Sequence, residues 1–213
     1  MRTSQQSFDE LENILVLVSD IRLCQGALIP DELPFIRNAA PKRVREFTAG
    51  RHIARQAMRQ MGVPAAVIPV ADNRCPVWPR GLVGSISHTN DTVGIALART
   101  HEYVSVGFDI EAAGAVATEL YDIVLTDGEK ACIDLNADSD LATLIFSCKE
   151  SDYKAVYPLV GEFLEFQDIE ISLADDGFAV SCLNDHASNH YIQAGKGYFE
   201  VRDTLAMSLF SIK

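Results

Sequence analysis

The sequence predicts a globular fold that mixes helices with strands. Residues 41–62 and 146–157 repeat apolar or aromatic side chains at the helical period of about 3.6 residues. Short apolar runs, such as the one at 13–18, are instead typical of strands. A chain of 213 residues can form one large domain or two of about 100 residues. A content of 48% hydrophobic and 23% charged residues excludes a disordered chain.

The cysteines and the first residues predict where this protein works. The five cysteines are odd in number and never form a Cys-x-x-Cys pair, so we expect reduced thiols rather than disulfides or a zinc site. Acidic residues at 9, 10 and 12 stand where a signal peptide would be basic. The apolar run that follows them is far shorter than the ~20 residues of a membrane span. We therefore expect a soluble cytoplasmic protein.

An anionic ligand would need a local cationic pocket, because the net charge of −12 opposes binding to nucleic acid or anionic membranes. The helix predicted at 41–62, which Gly62 ends, carries such charge on its apolar side. Counting about 100° per residue, Arg51 lies near the middle of the apolar stripe and Arg55 on its flank. A buried guanidinium needs an anion. A core carboxylate or a phosphate could serve, or Arg51 could reach solvent along its aliphatic stem.

The next segment predicts a β-hairpin and then a strand with two carboxylates. His88 lies in the turn of the hairpin at 83–98, where the backbone amides of Ser87 and His88 could bind an anion, although a histidine in a turn is usually a surface residue. Asp109 and Glu111 are two residues apart on a strand and therefore point to the same face. They are either solvated or share a hard cation such as Mg²⁺, which prefers oxygen ligands.

The helix predicted at 146–157 carries a carboxylate and an ammonium one turn apart. Glu150 and Lys154 share a side of this helix with Lys149 and with three aromatic residues, Phe146, Tyr153 and Tyr157. Pro158 is expected to end the helix. The pair is either a surface ion pair or part of a site, and Lys149 is expected to be solvated.

The remaining segments predict structure rather than chemistry. Thr126 and Glu129 form a capping box that opens a helix ending near Leu135. Strand-like runs follow at 166–173, 178–183, 191–194 and 201–210, and His186 and His190 are expected to lie at the surface. Taken together, the arginines, the three carboxylates and Lys154 are the parts that phosphoryl-type transfer requires.

Three motifs occur in order, and they resemble a known family. They are Gly84-Ser-Ile-Ser-His88, Val106-Gly-Phe-Asp-Ile-Glu111 and Phe146-Ser-Cys-Lys-Glu-Ser-Asp-Tyr-Lys-Ala155. They resemble the signature motifs of the 4'-phosphopantetheinyl transferases, most closely the enterobactin-synthase-component-D branch of the surfactin-type class. Phe47-Thr-Ala-Gly-Arg51 and Pro76-Val-Trp-Pro79 support the likeness, which covers roughly half of the chain.

The resemblance implies an α+β pseudodimer, in which two similar α/β subdomains, residues 1–103 and 104–213, bind coenzyme A in the cleft between them. It implies that Asp109, Glu111 and Glu150 hold Mg²⁺ on the pyrophosphate of coenzyme A. Lys154 would contact the same pyrophosphate. Arg51, Arg55 and His88 would hold the 3'-phosphate and its neighbours, Ser87 would join the coenzyme A site, and Arg74 would border the adenine.

The reaction implied by the resemblance is transfer of 4'-phosphopantetheine from coenzyme A to a serine of an apo acyl or peptidyl carrier protein, with release of 3',5'-ADP. Glu150 would act as the base, directly or through water, and Lys154 would offset charge. The enzyme would be a monomer that binds neither nucleic acid nor membrane. The linker at 112–127 and the apolar surface near the Glu150 helix are the candidates for docking the carrier. A Mg²⁺-dependent nucleotide pyrophosphate hydrolase and a non-catalytic coenzyme A-binding module are the alternatives.

Overall fold

In the computed structural model of this chain, two antiparallel β-sheets are each covered by one long helix. The structure describes residues 8, 11–24, 26–132 and 139–213. The α+β class predicted from the sequence is confirmed. In the described part of the chain, no helix is both long and apolar enough to cross a membrane.

The first sheet has three strands in the order β1-β3-β2, namely β1 (Ile14–Asp20), β3 (Thr92–Arg99) and β2 (Leu82–His88). The predicted hairpin at 83–98 is therefore confirmed. Helix α1 (Pro41–Gln60) packs across the central strand β3. Pro41 suits the first position of the helix, because the N–H that proline lacks would have no intrahelical hydrogen-bond acceptor there. The helix and sheet share one core of apolar side chains, among them Ile53, Ala54, Met58, Ile95 and Leu97.

The second sheet has five strands in the order β4-β8-β7-β6-β5. They are β4 (Ser105–Ala112), β5 (Ile169–Ala174), β6 (Gly177–Cys182), β7 (Gly195–Arg202) and β8 (Leu205–Ile212). The long helix α4 (Ser139–Val160) packs against β4 and β8. Three short helices complete this part, α2 (Tyr121–Val124), α3 (Asp127–Cys132) and α5 (Asn189–Ala194).

Gly107 lets helix α4 approach strand β4 closely. A Cβ at this position would lie 1.9 Å from the carbonyl oxygen of Ser151 and 2.5 Å from the amide nitrogen of Ala155. Any larger residue would push the helix away from the strand, since both clashing atoms belong to the backbone. The glycine thus brings the middle of α4 next to Asp109, two residues further along β4.

The two sheets meet along strands β2 and β4. The Ser85 hydroxyl donates to the Phe108 carbonyl at 3.3 Å, and the Ser87 hydroxyl donates to Asp109 Oδ1 at 2.8 Å. Phe108 itself is fully buried in a core that also includes residues of β3 and β8, such as Ala96 and Leu209. The side chains at the ends of β2 and β4 are therefore held beside each other.

Three local predictions are wrong. Pro158 lies inside α4, which continues to Val160 and ends at Gly161, whose φ of 69° suits a glycine that caps a helix. The proline removes one i→i−4 backbone hydrogen bond, and the helix continues for only two residues beyond it. Residues 191–194 belong to helix α5, and the run 201–210 is divided by a turn at 203–204 between β7 and β8.

The capping box is confirmed. The Thr126 amide donates to Glu129 Oε2 at 2.8 Å, and the Glu129 amide donates to Thr126 Oγ1 at 3.1 Å. This reciprocal pair opens α3 at the predicted place. The predicted end of that helix near Leu135 lies outside the described residues.

Candidate functional site

Helix α1 and strand β2 line a cavity of about 400 Å³ in which three arginines outnumber one carboxylate, Glu46. Its basic lining residues are Arg43, Arg51, Arg74 and His88, and we call this space the cationic cavity. The structure therefore brings together three residues that the sequence predicts to bind phosphates or adenine, namely Arg51, Arg74 and His88. An anionic ligand suits such a concave, basic surface.

Arg51 is held rigidly on the wall of the cationic cavity. It is only 6% exposed, its Nε donates to the Ile68 carbonyl at 2.9 Å, and its guanidinium carbon lies 4.2 Å from the centroid of the Phe47 ring. Burial lowers the pKa of Arg51 to about 10, so the side chain still carries its charge at neutral pH. A fixed, partly desolvated guanidinium is well suited to bind a phosphate.

His88 and Arg43 lie side by side at the rim of this cavity. Arg43 Nη1 is 3.3 Å from His88 Nε2, and Glu46 Oε2 is 3.7 Å from the same nitrogen. Burial lowers the pKa of His88, the Glu46 carboxylate opposes this, and Arg43 acts in the same direction as burial. A largely neutral imidazole is the consequence at neutral pH.

Sequence analysis missed Arg43. The residue lies on α1, four positions before Phe47 and eight before Arg51, and therefore belongs to one i, i+4 row of the helix. Extending that row toward the N-terminus from Arg51 would have found it. Because Arg43 is exposed near the start of the helix, the apolar pattern did not reach it.

Arg55 has a different partner from the phosphate that the sequence predicts. Its Nη1 donates to both carboxylate oxygens of Glu32, at 2.9 and 2.8 Å, and its Nη2 donates to the Ala27 carbonyl at 3.1 Å. Arg55 is 7% exposed and does not line the cationic cavity. A carboxylate of the core compensates its charge, which was one of the alternatives for this helix.

A second cavity of about 520 Å³ adjoins the first and reaches the second sheet. The two cavities share Arg74, Pro76 and Ile86 as lining residues. Side chains of α4 form its far wall, including Tyr153 and Lys154. An elongated ligand could therefore extend from the arginines of α1 to the charged residues of α4.

A cluster of carboxylates and one ammonium lies where β2, β4 and α4 meet. Asp109 is 1% exposed, and its Oδ1 accepts hydrogen bonds from Ser87 Oγ at 2.8 Å and from Lys154 Nζ at 2.5 Å. Lys154 Nζ also lies 3.2 Å from Ser87 Oγ and 4.0 Å from Glu150 Oε2. We call Asp109, Glu111, Glu150 and Lys154 the acidic cluster. Sequence analysis predicted all four, and Ser87 joins them.

Burial and mutual repulsion perturb this cluster. Burial and the nearby Asp109 carboxylate, opposed by Lys154, together raise the pKa of Glu111 to about 7. Burial also raises the pKa of Glu150, against the effect of Lys154. Loss of solvation alone would lower the pKa of Lys154, but the carboxylates of Asp109 and Glu150 raise it above its usual value. Acids and bases perturbed in this way are typical of functional sites.

The acidic cluster matches Mg²⁺ in its donor chemistry. Its three carboxylates are hard oxygen ligands, and Asp109 Oδ2 is buried without a hydrogen-bond partner among the described residues. The side chains as they stand are organised around Lys154 instead. In the described ranges, no three His, Cys, Asp or Glu side chains are grouped so as to hold a metal ion.

The prediction that Lys149 is solvated is wrong. The residue is 1% exposed, its Nζ lies 2.8 Å from Glu129 Oε2, and it donates to the Val124 and Phe166 carbonyls at 2.8 and 2.7 Å. Helical periodicity correctly groups Lys149 with Glu150. It does not reveal that α3 and the segment after α4 cover that side of the helix.

Two family models match this chain. A family model described as "4'-phosphopantetheinyl transferase N-terminal domain" matches residues 31–98, and one described as "4'-phosphopantetheinyl transferase superfamily" matches residues 105–208. Together they include all the residues of the cationic cavity and the acidic cluster.

Three relatives illustrate the likeness. The 4'-phosphopantetheinyl transferase PptT of Mycobacterium tuberculosis is 35% identical over 150 residues, which are 70% of this chain and 66% of that protein. The 4'-phosphopantetheinyl transferase Npt of Nocardia iowensis is 32% identical over 71% of this chain and 69% of its own length. The enterobactin synthase component D of Salmonella typhi is 41% identical over 56% of this chain and 51% of its own. The chain thus spans about two thirds of the first two relatives and about half of the third.

Proposed function

Because this chain belongs to the 4'-phosphopantetheinyl transferase superfamily, we propose that it transfers 4'-phosphopantetheine from coenzyme A to a serine of an apo acyl or peptidyl carrier protein. The observation that carries the proposal is the position of two neighbouring residues of β2. His88 lines the cationic cavity, while the Ser87 hydroxyl donates to Asp109 in the acidic cluster. The two residues thereby connect the cationic cavity with the acidic cluster.

The cationic cavity would bind the phosphates of coenzyme A. Arg43, Arg51 and His88 converge on it and can donate hydrogen bonds to a phosphate, and Arg74 connects it with the second cavity. Arg55 would contribute indirectly, because Glu32 already binds its guanidinium. The pyrophosphate would then lie toward Lys154, on the wall formed by α4.

Glu150 is our candidate for the general base. It would remove the proton of the carrier serine, directly or through water, and its raised pKa brings it nearer to the pH at which a base is effective. The serine oxygen forms a bond to the β-phosphorus of coenzyme A. The pyrophosphate P–O bond breaks, and 3',5'-ADP leaves with the electron pair. The Lys154 ammonium offsets the charge that develops there.

Asp109, Glu111 and Glu150 would hold Mg²⁺, which when bound supplies positive charge to the pyrophosphate. The free Oδ2 of Asp109 and the raised pKa of Glu111 support this assignment, since a bound cation would pair that oxygen and offset the repulsion between the two carboxylates. Lys154 compensates only one oxygen of Asp109 directly.

We also propose the larger organisation that the family resemblance implies. The protein would be a monomeric pseudodimer of residues 1–103 and 104–213, since the boundary falls between the last strand of one sheet and the first strand of the other. Its five free cysteines are consistent with the cytoplasm. The carrier would dock near 112–127, where Leu120 and Ile123 are exposed.

The experiment is incubation of the protein with coenzyme A, Mg²⁺ and an apo carrier protein, followed by mass spectrometry of the carrier. We expect the carrier to gain the mass of phosphopantetheine, and chelation by EDTA to stop the gain. Glu150→Gln and Asp109→Ala should each slow transfer about 10²- to 10⁴-fold. Full transfer by either variant would contradict the assignment. Release of 3',5'-ADP without any carrier would indicate a hydrolase. Binding of coenzyme A with neither transfer nor hydrolysis would indicate a non-catalytic binding module.

A further inference from the structure

Each of the two long helices carries a basic residue that forms a buried ion pair with a glutamate of a neighbouring segment. In the first, Glu32 is fully buried and binds Arg55 of α1 through both carboxylate oxygens. The same carboxylate accepts the amides of Ile29 at 3.1 Å and Ile68 at 3.2 Å. One side chain therefore joins α1 to two separate segments of the backbone.

Those two segments form a wall of the cationic cavity. Phe35, which lines it, lies in the same 3₁₀ turn as Glu32, Pro30–Ile36. The Ile68 carbonyl accepts the hydrogen bond from Arg51 Nε, and Val70 and Arg74 follow it along the wall. The Glu32–Arg55 pair is thus placed to fix the shape of the cavity without touching what the cavity holds.

The second pair, beside the five-stranded sheet, likewise combines a buried glutamate with a basic residue of the long helix and with backbone amides. Glu129 of α3 is 2% exposed and lies 2.8 Å from Lys149 Nζ of α4. Its carboxylate also accepts the amides of Thr126 at 2.8 Å and Ile171 at 2.7 Å. Lys149 donates its other hydrogen bonds to the Val124 and Phe166 carbonyls. Four backbone groups from separate segments thus converge on one ion pair.

This second pair lies directly behind the proposed base. Lys149 precedes Glu150 on α4, and both line a small cavity of about 70 Å³ together with Tyr153, Phe163 and Phe166. The carbonyl of Phe166 is one of the acceptors of Lys149, and its ring packs 5.5 Å from that of Phe146 on α4. The Glu129–Lys149 pair therefore fixes the helical turn of α4 that carries Glu150. It also fixes the segment around Phe166, which packs against that turn.

We propose that the two buried pairs are positioning residues for different steps of the reaction. The Glu32–Arg55 pair shapes the surface that binds coenzyme A, and the Glu129–Lys149 pair orients Glu150 for the chemical step. This inference rests on the proposed function, because it assigns the two pairs to binding and to transfer. None of the four side chains is required to touch the substrate.

The test replaces each pair as a whole, so that no uncompensated charge remains buried. The two double variants are Glu129→Gln with Lys149→Met, and Glu32→Gln with Arg55→Met, and each serves as the matched control of the other. Three quantities are measured for each: the Kd of coenzyme A by titration calorimetry, the kcat of transfer at saturating coenzyme A and carrier, and the folded fraction by circular dichroism.

Opposite changes are expected in the two variants. Loss of the Glu129–Lys149 pair should lower kcat about tenfold or more, because small displacements of a reacting group are costly, while Kd changes less than about twofold. Loss of the Glu32–Arg55 pair should raise Kd about tenfold and leave kcat per folded molecule within about twofold, because a preformed surface binds more tightly.

Equal effects of the two variants on Kd and kcat, or losses that follow the folded fraction alone, would overturn the inference. If either double variant does not fold, Lys149→Arg and Arg55→Lys are compared by the same criteria, since they keep the charge and change only its geometry. If the wild-type protein binds coenzyme A and transfers nothing, the proposed function has failed. The effect of the Glu32–Arg55 pair on Kd is then still measured independently.

Discussion

The two sheets of this protein carry the same kind of scaffold and opposite kinds of chemistry. Each sheet is covered by one long helix, and each helix is tied to its surroundings by a buried pair of a glutamate and a basic residue, Glu32–Arg55 or Glu129–Lys149. The first scaffold presents the arginines of the cationic cavity, and the second presents the acidic cluster. The function is therefore decided by the few side chains at the seam between the sheets rather than by the scaffold.

The two buried pairs differ in how the basic residue distributes its hydrogen-bond donors. Arg55 uses one guanidinium nitrogen to bind both oxygens of Glu32 and another to reach a carbonyl. Lys149 uses its three donors on Glu129 and on two carbonyls from separate segments. A lysine ammonium can direct its donors to partners on several sides, whereas the guanidinium fork is planar. The same task is thus met by two residue types with different local geometry.

Among the substitutions that compare the two sheets, the largest expected effect on activity comes from Lys154, the cation of the acidic cluster. Replacing it as Lys154→Met removes the ammonium that binds Asp109 and approaches Glu150. We expect the kcat of transfer to fall about 10²- to 10³-fold, since a preorganised charge opposite the leaving group is lost. Single-turnover transfer to an apo carrier measures this. The exposed Lys196→Met is the control, and an equal loss in that variant would break the comparison between the sheets.

An intermediate effect is expected from the arginines of the cationic cavity. Arg43→Met and Arg51→Met should each weaken coenzyme A binding about tenfold to hundredfold, because each would remove the charged hydrogen bonds that we propose to a phosphate. The kcat at saturating coenzyme A should stay near the wild-type value. Calorimetric titration gives the affinity, and Arg59→Met, on an exposed part of the same helix, is the control. A fall in kcat without a change in affinity would contradict the division between the two scaffolds.

The smallest effect on activity is expected at Asp152 on α4, where the predicted change concerns stability alone. Unlike the buried pairs, its two carboxylate oxygens have no hydrogen-bond partner in the described part of the chain. Burial raises the pKa of Asp152 to about 8 from 3.8. Between these values the folded protein keeps a proton that the unfolded chain releases, so the wild-type stability falls as the pH rises through this window.

Asp152→Asn removes this titration. Compared with the wild type, we expect the variant to gain stability as the pH rises from about 5 to about 9. Urea unfolding at both pH values measures the change, with Asp176→Asn in the exposed turn between β5 and β6 as the control. A difference between variant and wild type that does not change with pH would show that Asp152 is ionised in the folded protein.

Much of the fold could be predicted because its signals are local. The helix of α1, the hairpin of β2 and β3, and the capping box at Thr126 each depend on residues close together in sequence. The errors occurred where neighbours in space overrode the local pattern. Residues 191–194 became helical, and Pro158 was accommodated near the end of α4.

The sequence by itself determined which charged side chains share a face of a strand or a helix, because Asp109 and Glu111 stand two positions apart and Glu150 and Lys154 four. Only the tertiary structure decided their partners. It joined Arg55 to Glu32 and Lys149 to Glu129 across 23 and 20 positions of sequence, and it brought Arg43 to His88. Periodicity tells which way a side chain points along its own element. Which other element covers that side, and so whether a charge meets a carboxylate, a ligand or water, depends on packing between distant segments.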